Sequence, residues 1–170
     1  MISTKEYAPY FSRYINPTLT NGKSMIENLI DSQQRFEDVL RNVPKEKHLF
    51  SYAEGKWTLK ELIQHIIDTE RIFCYRALCF SRNDATSLPG FDQDLFINEG
   101  NANERMYEAL LDEMAVVRMA TIHLFKSFSD EALERVGVGS GNNMSVRAAG
   151  IIISGHQNHH VQIAKERYLE

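Results

Sequence analysis

The sequence predicts an all-α domain, most simply a four-helix bundle, and three observations lead to this fold class. Apolar residues recur at three- and four-residue steps along most of the chain, while few stretches alternate in the manner of strands. Leu, Met, Glu, Arg and Ala dominate the periodic segments, as is typical of helices. The chain has 170 residues, the size of one domain. We therefore expect a single bundle over residues 1–170.

The first helix is predicted over about residues 23–42. Its apolar positions recur mostly at helical steps, and Pro44 lies just beyond its end. Residues 1–22 precede it and contain several aromatic side chains but no lasting period. We interpret them as an arm that packs on the bundle.

The second helix has the clearest start. Thr58-Leu59-Lys60-Glu61 is a capping box, in which the first and last side chains each bond a backbone N–H group of the other residue. Trp57 precedes the box and is placed to pack against Leu62. Because the apolar stripe continues to about Ser81, the second helix is predicted to end there.

A long connection separates the second and third helices. Residues 82–100 are rich in turn-forming and polar residues. A connection of this length often has a function of its own, or it spans the distance between two helices that are not antiparallel neighbours. The third helix is predicted from about Asn103, and a short helical turn is predicted at Ser129-Asp130-Glu131. Three glycines then break the chain, and the fourth helix is predicted from about Ser145.

Three of the six histidines lie in the run from His156 to His160. Residues four apart share one helical face, so these two histidines can aim at one point. On a helical projection both fall among aliphatic residues, and His159 lies at the border of that arc. The opposite face, interpreted as solvated, holds Ser154, Asn158, Gln162 and Lys165. Because a buried polar group needs a partner, the pair is predicted to bind a divalent metal, and His159 is not.

A third ligand is expected, because catalytic zinc-type sites commonly use three protein ligands. His48 lies in a charged loop and is expected to be solvated, whereas His123 lies on the third helix without a further motif. Cys74 and Cys79 are interpreted as reduced thiols, since five residues on a helix place them on different faces. His65 borders the apolar stripe two turns after the capping box, so it is the preferred third ligand.

Motifs in three separate parts of the chain resemble the DinB/YfiT-like superfamily. The resemblance spans the second helix to the end of the chain. It implies a four-helix bundle with a long connection between helices two and three, and a three-histidine metal site that maps onto His65, His156 and His160. The motifs are Gly55-Lys56-Trp57-Thr58-Leu59-Lys60-Glu61-Leu62, His65-Ile66-Ile67-Asp68-Thr69-Glu70-Arg71, Leu88-Pro89-Gly90-Phe91-Asp92-Gln93-Asp94, and Gly155-His156 through His160.

The resemblance also implies an activity class. Members are similar to metal-dependent thiol transferases or isomerases that use bacillithiol, mycothiol or glutathione, or to hydrolases. The implied metal is zinc, nickel or another divalent ion, which imidazole ligands alone do not distinguish, and homodimers are implied as well. An open three-histidine metal site could lower the pKa of water for hydrolysis or bind a thiolate for transfer.

The sequence gives a weaker indication of which residues could act as an acid or a base beside the metal. The metalloprotease signature needs Glu directly after its first histidine, and Gln157 stands there, so peptidase chemistry is disfavoured. Asp68, Glu70 and Asp92 remain candidates for carboxylates beside the metal, although carboxylates at helix rims and in turns are usually solvated or capping groups.

Two function classes follow. The first is an enzyme in which the metal activates a low-molecular-weight thiol or water against a small electrophilic substrate. The second is a non-catalytic dimeric metal-binding or structural stress-response bundle. The net charge of −4 and the absence of a long Lys/Arg run argue against a nucleic-acid partner. No apolar run is long enough to cross a bilayer and the N-terminus lacks a secretory signal, so a cytoplasmic location without membrane binding is predicted.

Overall fold

The fold is seen in a computed structural model, which describes residues 2–170. Within these residues the chain forms seven α-helices and one β-hairpin, with 3₁₀ turns at Thr4–Glu6, Pro9–Phe11, Lys45–Lys47 and Ala102–Glu104 and a final π-helical segment at Ala164–Leu169. The helices and strands are α1 (Ser12–Leu19), α2 (Met25–Leu40), α3 (Leu59–Ser81), α4 (Gln93–Glu99), α5 (Tyr107–Lys126), α6 (Asp130–Glu134), β1 (Val136–Gly139), β2 (Asn142–Ser145) and α7 (Val146–Ile163).

The four long helices α2, α3, α5 and α7 form a four-helix bundle, which confirms the predicted fold class. Both α7 and α5 pack against α2 and against α3, so α7 and α5 lie diagonally opposite in the bundle. Both hydrogen bonds of the capping box at the start of α3 are formed. The Thr58 hydroxyl accepts from the Glu61 amide at 3.2 Å, and the Glu61 carboxylate accepts from the Thr58 amide at 2.7 Å.

The long connection is explained by the directions of its two helices. Thr58, just before α3, bonds Asn103, just before α5, and further along Glu70 on α3 bonds Arg118 on α5. Early residues of α3 thus contact early residues of α5, and later residues contact later ones, so α3 and α5 run parallel. Parallel neighbours need a connection that returns along the bundle, and the 23 residues of α3 span about 34 Å. The connection includes the short helix α4.

Helix α7 is buried on nearly all sides as far as Gln157, because α1 packs across it in addition to α2 and α3. The interpretation of Ser154 as part of a solvated face is therefore wrong. Its side chain is fully buried and donates to the Ile151 carbonyl at 3.0 Å. The next residue, Gly155, allows this close packing, since a Cβ there would lie 2.2 Å from the Tyr14 carbonyl oxygen of α1.

The hairpin β1–β2 forms where the sequence predicts only a break in the chain. Its antiparallel strands join Val136 to Ser145 at one end and Gly139 to Asn142 at the other. Gly137 is required by packing, because a Cβ there would lie 2.0 Å from the ring of Phe80 on α3. Two buried apolar clusters fill the bundle, and on α7 they contact the helix up to residue 153 and again from residue 161. No helix among residues 2–170 is both long and apolar enough to cross a membrane.

Candidate metal centre

Three histidines converge beside the part of α7 that lies between the two apolar clusters of the bundle. His65 extends from α3, and His156 and His160 extend from successive turns of α7. The Nε2 atom of His156 lies 3.1 Å from Nε2 of His65 and 3.1 Å from Nε2 of His160. The ligand atoms of all three lie within 4.8 Å of one another. The structure thus brings together the three residues that the sequence nominated.

The arrangement fits a divalent metal better than it fits hydrogen bonding. A neutral imidazole nitrogen has either one N–H or one lone pair, so Nε2 of His156 can bond only one of its two neighbours well. Two nitrogens bound to one zinc ion at about 2.0–2.1 Å lie roughly 2.8–3.4 Å apart for angles between about 90° and 109°. The two distances of 3.1 Å fall within that range.

Burial keeps the three imidazoles in the form that metals bind. It lowers the pKa of His65 from 6.5 to about 4. It also lowers the pKa of His156 and of His160 well below 6.5, and the charges of neighbouring histidines lower both further. At neutral pH all three side chains are therefore neutral, and a metal does not have to displace a proton from them.

Aromatic rings fix two of the three imidazoles. Trp57 lies over His65 with its ring centroid 4.7 Å away, and the indole N–H is held by Asp94 of α4 at 3.1 Å. Tyr14 of α1 contacts the ring of His156 edge to face at 5.4 Å. The arm and the long connection therefore both contribute to the orientation of the histidines.

A cavity of about 310 Å³ opens from the three histidines to solvent. Thr69 and Arg76 of α3 lie on its wall, as do Arg13 of α1 and His159 of α7. Its remaining lining is mainly aromatic, from Tyr10, Phe11, Tyr14, Trp57, Phe73 and Phe91. A cavity that combines aromatic walls with convergent polar groups is typical of a small-molecule site.

Comparison with known proteins identifies the family. The DinB superfamily profile matches residues 28–164, which include all four bundle helices except the first three residues of α2. The chain belongs to the DinB superfamily. The sequence resemblance drawn from the three motif regions is confirmed by this match.

Individual relatives of this DinB protein are distant. A curated Oceanobacillus iheyensis protein named "Putative metal-dependent hydrolase" is 21% identical over 128 residues, which cover 75% of this chain and 73% of the relative. YfiT from Bacillus subtilis, described as "a probable metal-dependent hydrolase with an unusual four-helix bundle topology", superposes with a TM-score of 0.74 at 12% identity, covering 83% of this chain and 84% of YfiT.

A second solved structure is of a longer chain than this one. The mycothiol-dependent maleylpyruvate isomerase superposes with a TM-score of 0.65 at 13% identity. The match covers 85% of this DinB chain but only 59% of the isomerase. At these identities both structural matches show the shared fold alone.

The remaining histidines and thiols of the DinB bundle lie in different surroundings. His159 lines the cavity, where its ring contacts Tyr14 at 5.4 Å. His48 was expected to be solvated, and this is wrong, because its ring stacks on Tyr107 at 3.7 Å and its Nε2 bonds the Val43 carbonyl. His123 is exposed on α5. Both Cys74 and Cys79 are free, as the sequence predicted.

The three candidate carboxylates have other partners and do not line the cavity. Asp68 accepts from the Gln64 amide at 2.8 Å, and burial raises its pKa. Glu70 is buried in an ion pair with Arg118. Asp92 caps α4, accepting from two backbone amides at 2.9 and 3.1 Å.

Sequence reasoning did not nominate Thr69 and Arg76, although their spacing offered a signal. They follow His65 by four and eleven residues, steps that place all three near one face of α3. Tyr14 gave no such signal, because its contact with His156 depends on how the arm crosses α7.

Proposed function

We propose that this DinB protein is a metal-dependent enzyme in which His65, His156 and His160 hold a divalent ion. The observation that supports it most is the convergence of three neutral imidazoles, two buried and one half-buried, on the wall of an open cavity. A divalent ion bound there would supply Lewis acidity, lowering the pKa of a thiol or of water at neutral pH. The names of the hydrolase relative and of YfiT are consistent with such chemistry.

Within this proposal the activated group is a low-molecular-weight thiol, which attacks a small electrophilic substrate. No Asp or Glu among residues 2–170 lines the cavity, so the described residues supply no carboxylate as general base for water there. A thiol has an ordinary pKa near about 8.5 and forms its anion with much less assistance. The isomerase that shares the fold is itself mycothiol-dependent by name.

Hydrolysis is the second candidate, and His159 is the observation that favours it. This imidazole lines the cavity and lies edge to face with His160 at 5.2 Å. Its pKa is lowered, mainly by burial, so it is available at neutral pH to accept a proton at a ring nitrogen. Replacing His159 by Gln should abolish hydrolase activity while leaving thiol transfer in place.

Zinc or nickel is the ion we propose, because both bind imidazole nitrogen. Of the residues around the site, Trp57 and Tyr14 pack against two of the ligands and restrict access of water to them. Gln157, which stands where a metalloprotease has its glutamate, is fully buried and donates to the Gln33 side chain at 3.1 Å, so peptidase chemistry is not part of the proposal.

A homodimer is also proposed, and α5 offers the surface for it. Val116 and Met119 lie one turn apart on its outer face and are 67% and 62% exposed, so they form a small apolar patch. Replacing Val116 by Glu should shift a dimer to monomer in light scattering without changing metal content. A wild type that is monomeric at all concentrations would contradict the dimer.

Metal analysis of two matched variants tests the proposal. We expect the purified wild type to contain about one divalent ion per chain and His156→Ala to contain none while remaining folded. His123→Ala removes an exposed histidine and should keep the ion. Loss of thiol transfer should parallel loss of the ion. A wild type without metal affinity, or a metal content that His156→Ala does not change, would overturn the proposal and favour a non-catalytic bundle.

A further inference from the structure

The cavity at the three histidines has a charge opposite to that of the whole protein. Two arginines, Arg13 and Arg76, lie on its wall, and no acidic side chain among residues 2–170 does. The chain as a whole has a net charge of −4. A cleft lined by charges of one sign between low-dielectric walls focuses their potential, so positive charges alone attract anions.

Of the two arginines on the cavity wall, Arg76 gives the clearer indication of an anion site. It is only 3% exposed, and its Nη2 group donates to the Pro89 carbonyl at 2.9 Å and to the Ser140 hydroxyl at 2.8 Å. No carboxylate of residues 2–170 lies within ion-pair distance of it, and its Nε and Nη1 groups make no hydrogen bond to these residues. The comparably buried Arg118 forms two hydrogen bonds with Glu70.

A buried guanidinium without a counter-charge is costly. Burial lowers the pKa of Arg76, which reflects that cost, yet arginine stays protonated in proteins. The Pro89 and Ser140 bonds satisfy one edge of the guanidinium and leave donors free on a wall that faces a ligand-sized space.

Thr69 gives a second, independent observation on the same wall. Its hydroxyl oxygen is buried, and it has no hydrogen-bond partner within the described part of the chain. It follows His65 by one turn and precedes Arg76 by two, and all three residues line the cavity. A row of polar groups on one side of the cavity therefore runs from the histidines to the guanidinium.

The spacing sets the length of what could occupy this row. Eleven residues of helix separate His65 from Arg76, about 16 Å along the axis. The Arg76 side chain leans back over the ring of Phe73, with Cζ 5.3 Å from its centroid, which shortens the distance. The gap between the histidines and the guanidinium is thus on the order of 10 Å.

We propose that Arg76 binds the carboxylate of an elongated small molecule whose reacting end lies at the three histidines, with the Thr69 hydroxyl bonding its middle. The reacting end rests on the proposed function, but the anion subsite does not. A planar guanidinium matches a carboxylate, and the aromatic walls suit an apolar stem. A low-molecular-weight thiol with a carboxylate at its far end fits this arrangement, with its sulfur at the three histidines and its carboxylate at Arg76.

Matched thiols of increasing length test this assignment by isothermal titration calorimetry on zinc-loaded protein. The ω-mercaptoalkanoic acids carry the carboxylate, and the ω-mercaptoalcohols of equal length do not. We expect the acid to bind about tenfold to hundredfold more tightly than the alcohol, with the preference largest at one chain length. The preference should disappear in Arg76→Gln and persist in Arg82→Gln, which removes an exposed arginine outside the cavity.

Two further arms separate the possible failures. In chelator-treated protein, plain alkanoates should still bind more tightly than alkanols and lose that preference in Arg76→Gln. Urea unfolding of Arg76→Gln, which also loses the bonds to Pro89 and Ser140, shows whether the fold is retained, and a preference lost at unchanged stability distinguishes ligand binding from a purely structural clamp. Equal affinity of acid and alcohol in the wild type overturns the anion subsite. A carboxylate preference without any gain from zinc overturns the proposed metal function instead.

Discussion

Replacing Glu70 by Gln is expected to destabilise the protein by about 3–5 kcal/mol, because the change leaves a charge unpaired in the core. Glu70 and Arg118 are 2% and 1% exposed, and two hydrogen bonds of 2.8 and 2.7 Å join the guanidinium to the carboxylate. Thr121 also donates to this carboxylate at 2.6 Å. The neutral amide keeps the shape of the side chain but cannot balance the buried guanidinium.

The measurement is urea unfolding at pH 7. Glu131→Gln is the matched control, since Glu131 is 81% exposed and pairs with Arg135 on the surface, where such a pair is worth about 0.5 kcal/mol or less. The double variant Glu70→Leu with Arg118→Met should regain much of the lost stability, because it removes both charges together.

The outcome also decides which role Glu70 has. If Glu70→Gln loses no more stability than Glu131→Gln, the buried pair does not stabilise the bundle as argued. If it instead loses its bound metal at unchanged stability, Glu70 acts beside the metal, as the sequence left open. We expect reduced stability with full metal content.

Two other predictions concern the site directly. Chelator-treated protein should become less stable as the pH falls from 6.5 toward 4, because the unfolded chain then binds a proton at His65 that the folded chain, with a pKa of about 4, does not. The loss reaches about 3 kcal/mol for this residue, and unfolding curves of His65→Gln should show a correspondingly weaker pH dependence; parallel curves would contradict a buried neutral imidazole. Gly155→Ala should cost about 1–3 kcal/mol and weaken metal binding, since its Cβ would collide with the Tyr14 backbone and displace α1 from His156. An unchanged unfolding midpoint would show that α1 does not pack there.

Local signals were sufficient to predict the four long helices and the histidine pair. The capping box of Thr58 and Glu61 specifies the start of α3 with neighbouring residues alone, and both of its hydrogen bonds are formed. The four-residue step from His156 to His160 is likewise a property of one helix. Such features need no knowledge of the other helices, so the sequence contains them.

Features that depend on tertiary packing could not be predicted in the same way. Ser154 is buried because α7 is surrounded by three helices, which a one-sided helical projection does not represent. His48 is buried because Tyr107, far away in sequence, stacks on it. The hairpin at 136–145 consists of two four-residue strands, and neither is long enough or alternates clearly enough to be recognised: the first is half glycine and the second is mostly polar.

The most direct test of the three-histidine metal centre is a crystal structure of the metal-loaded protein with anomalous diffraction data collected at the metal's absorption edge. We predict a single strong anomalous peak within about 2.0–2.2 Å of Nε2 of His65, His156 and His160, with at least one coordination position open to the cavity. A peak at Cys74 or Cys79, or no peak at the histidines in protein shown to contain one ion per chain, would contradict the account.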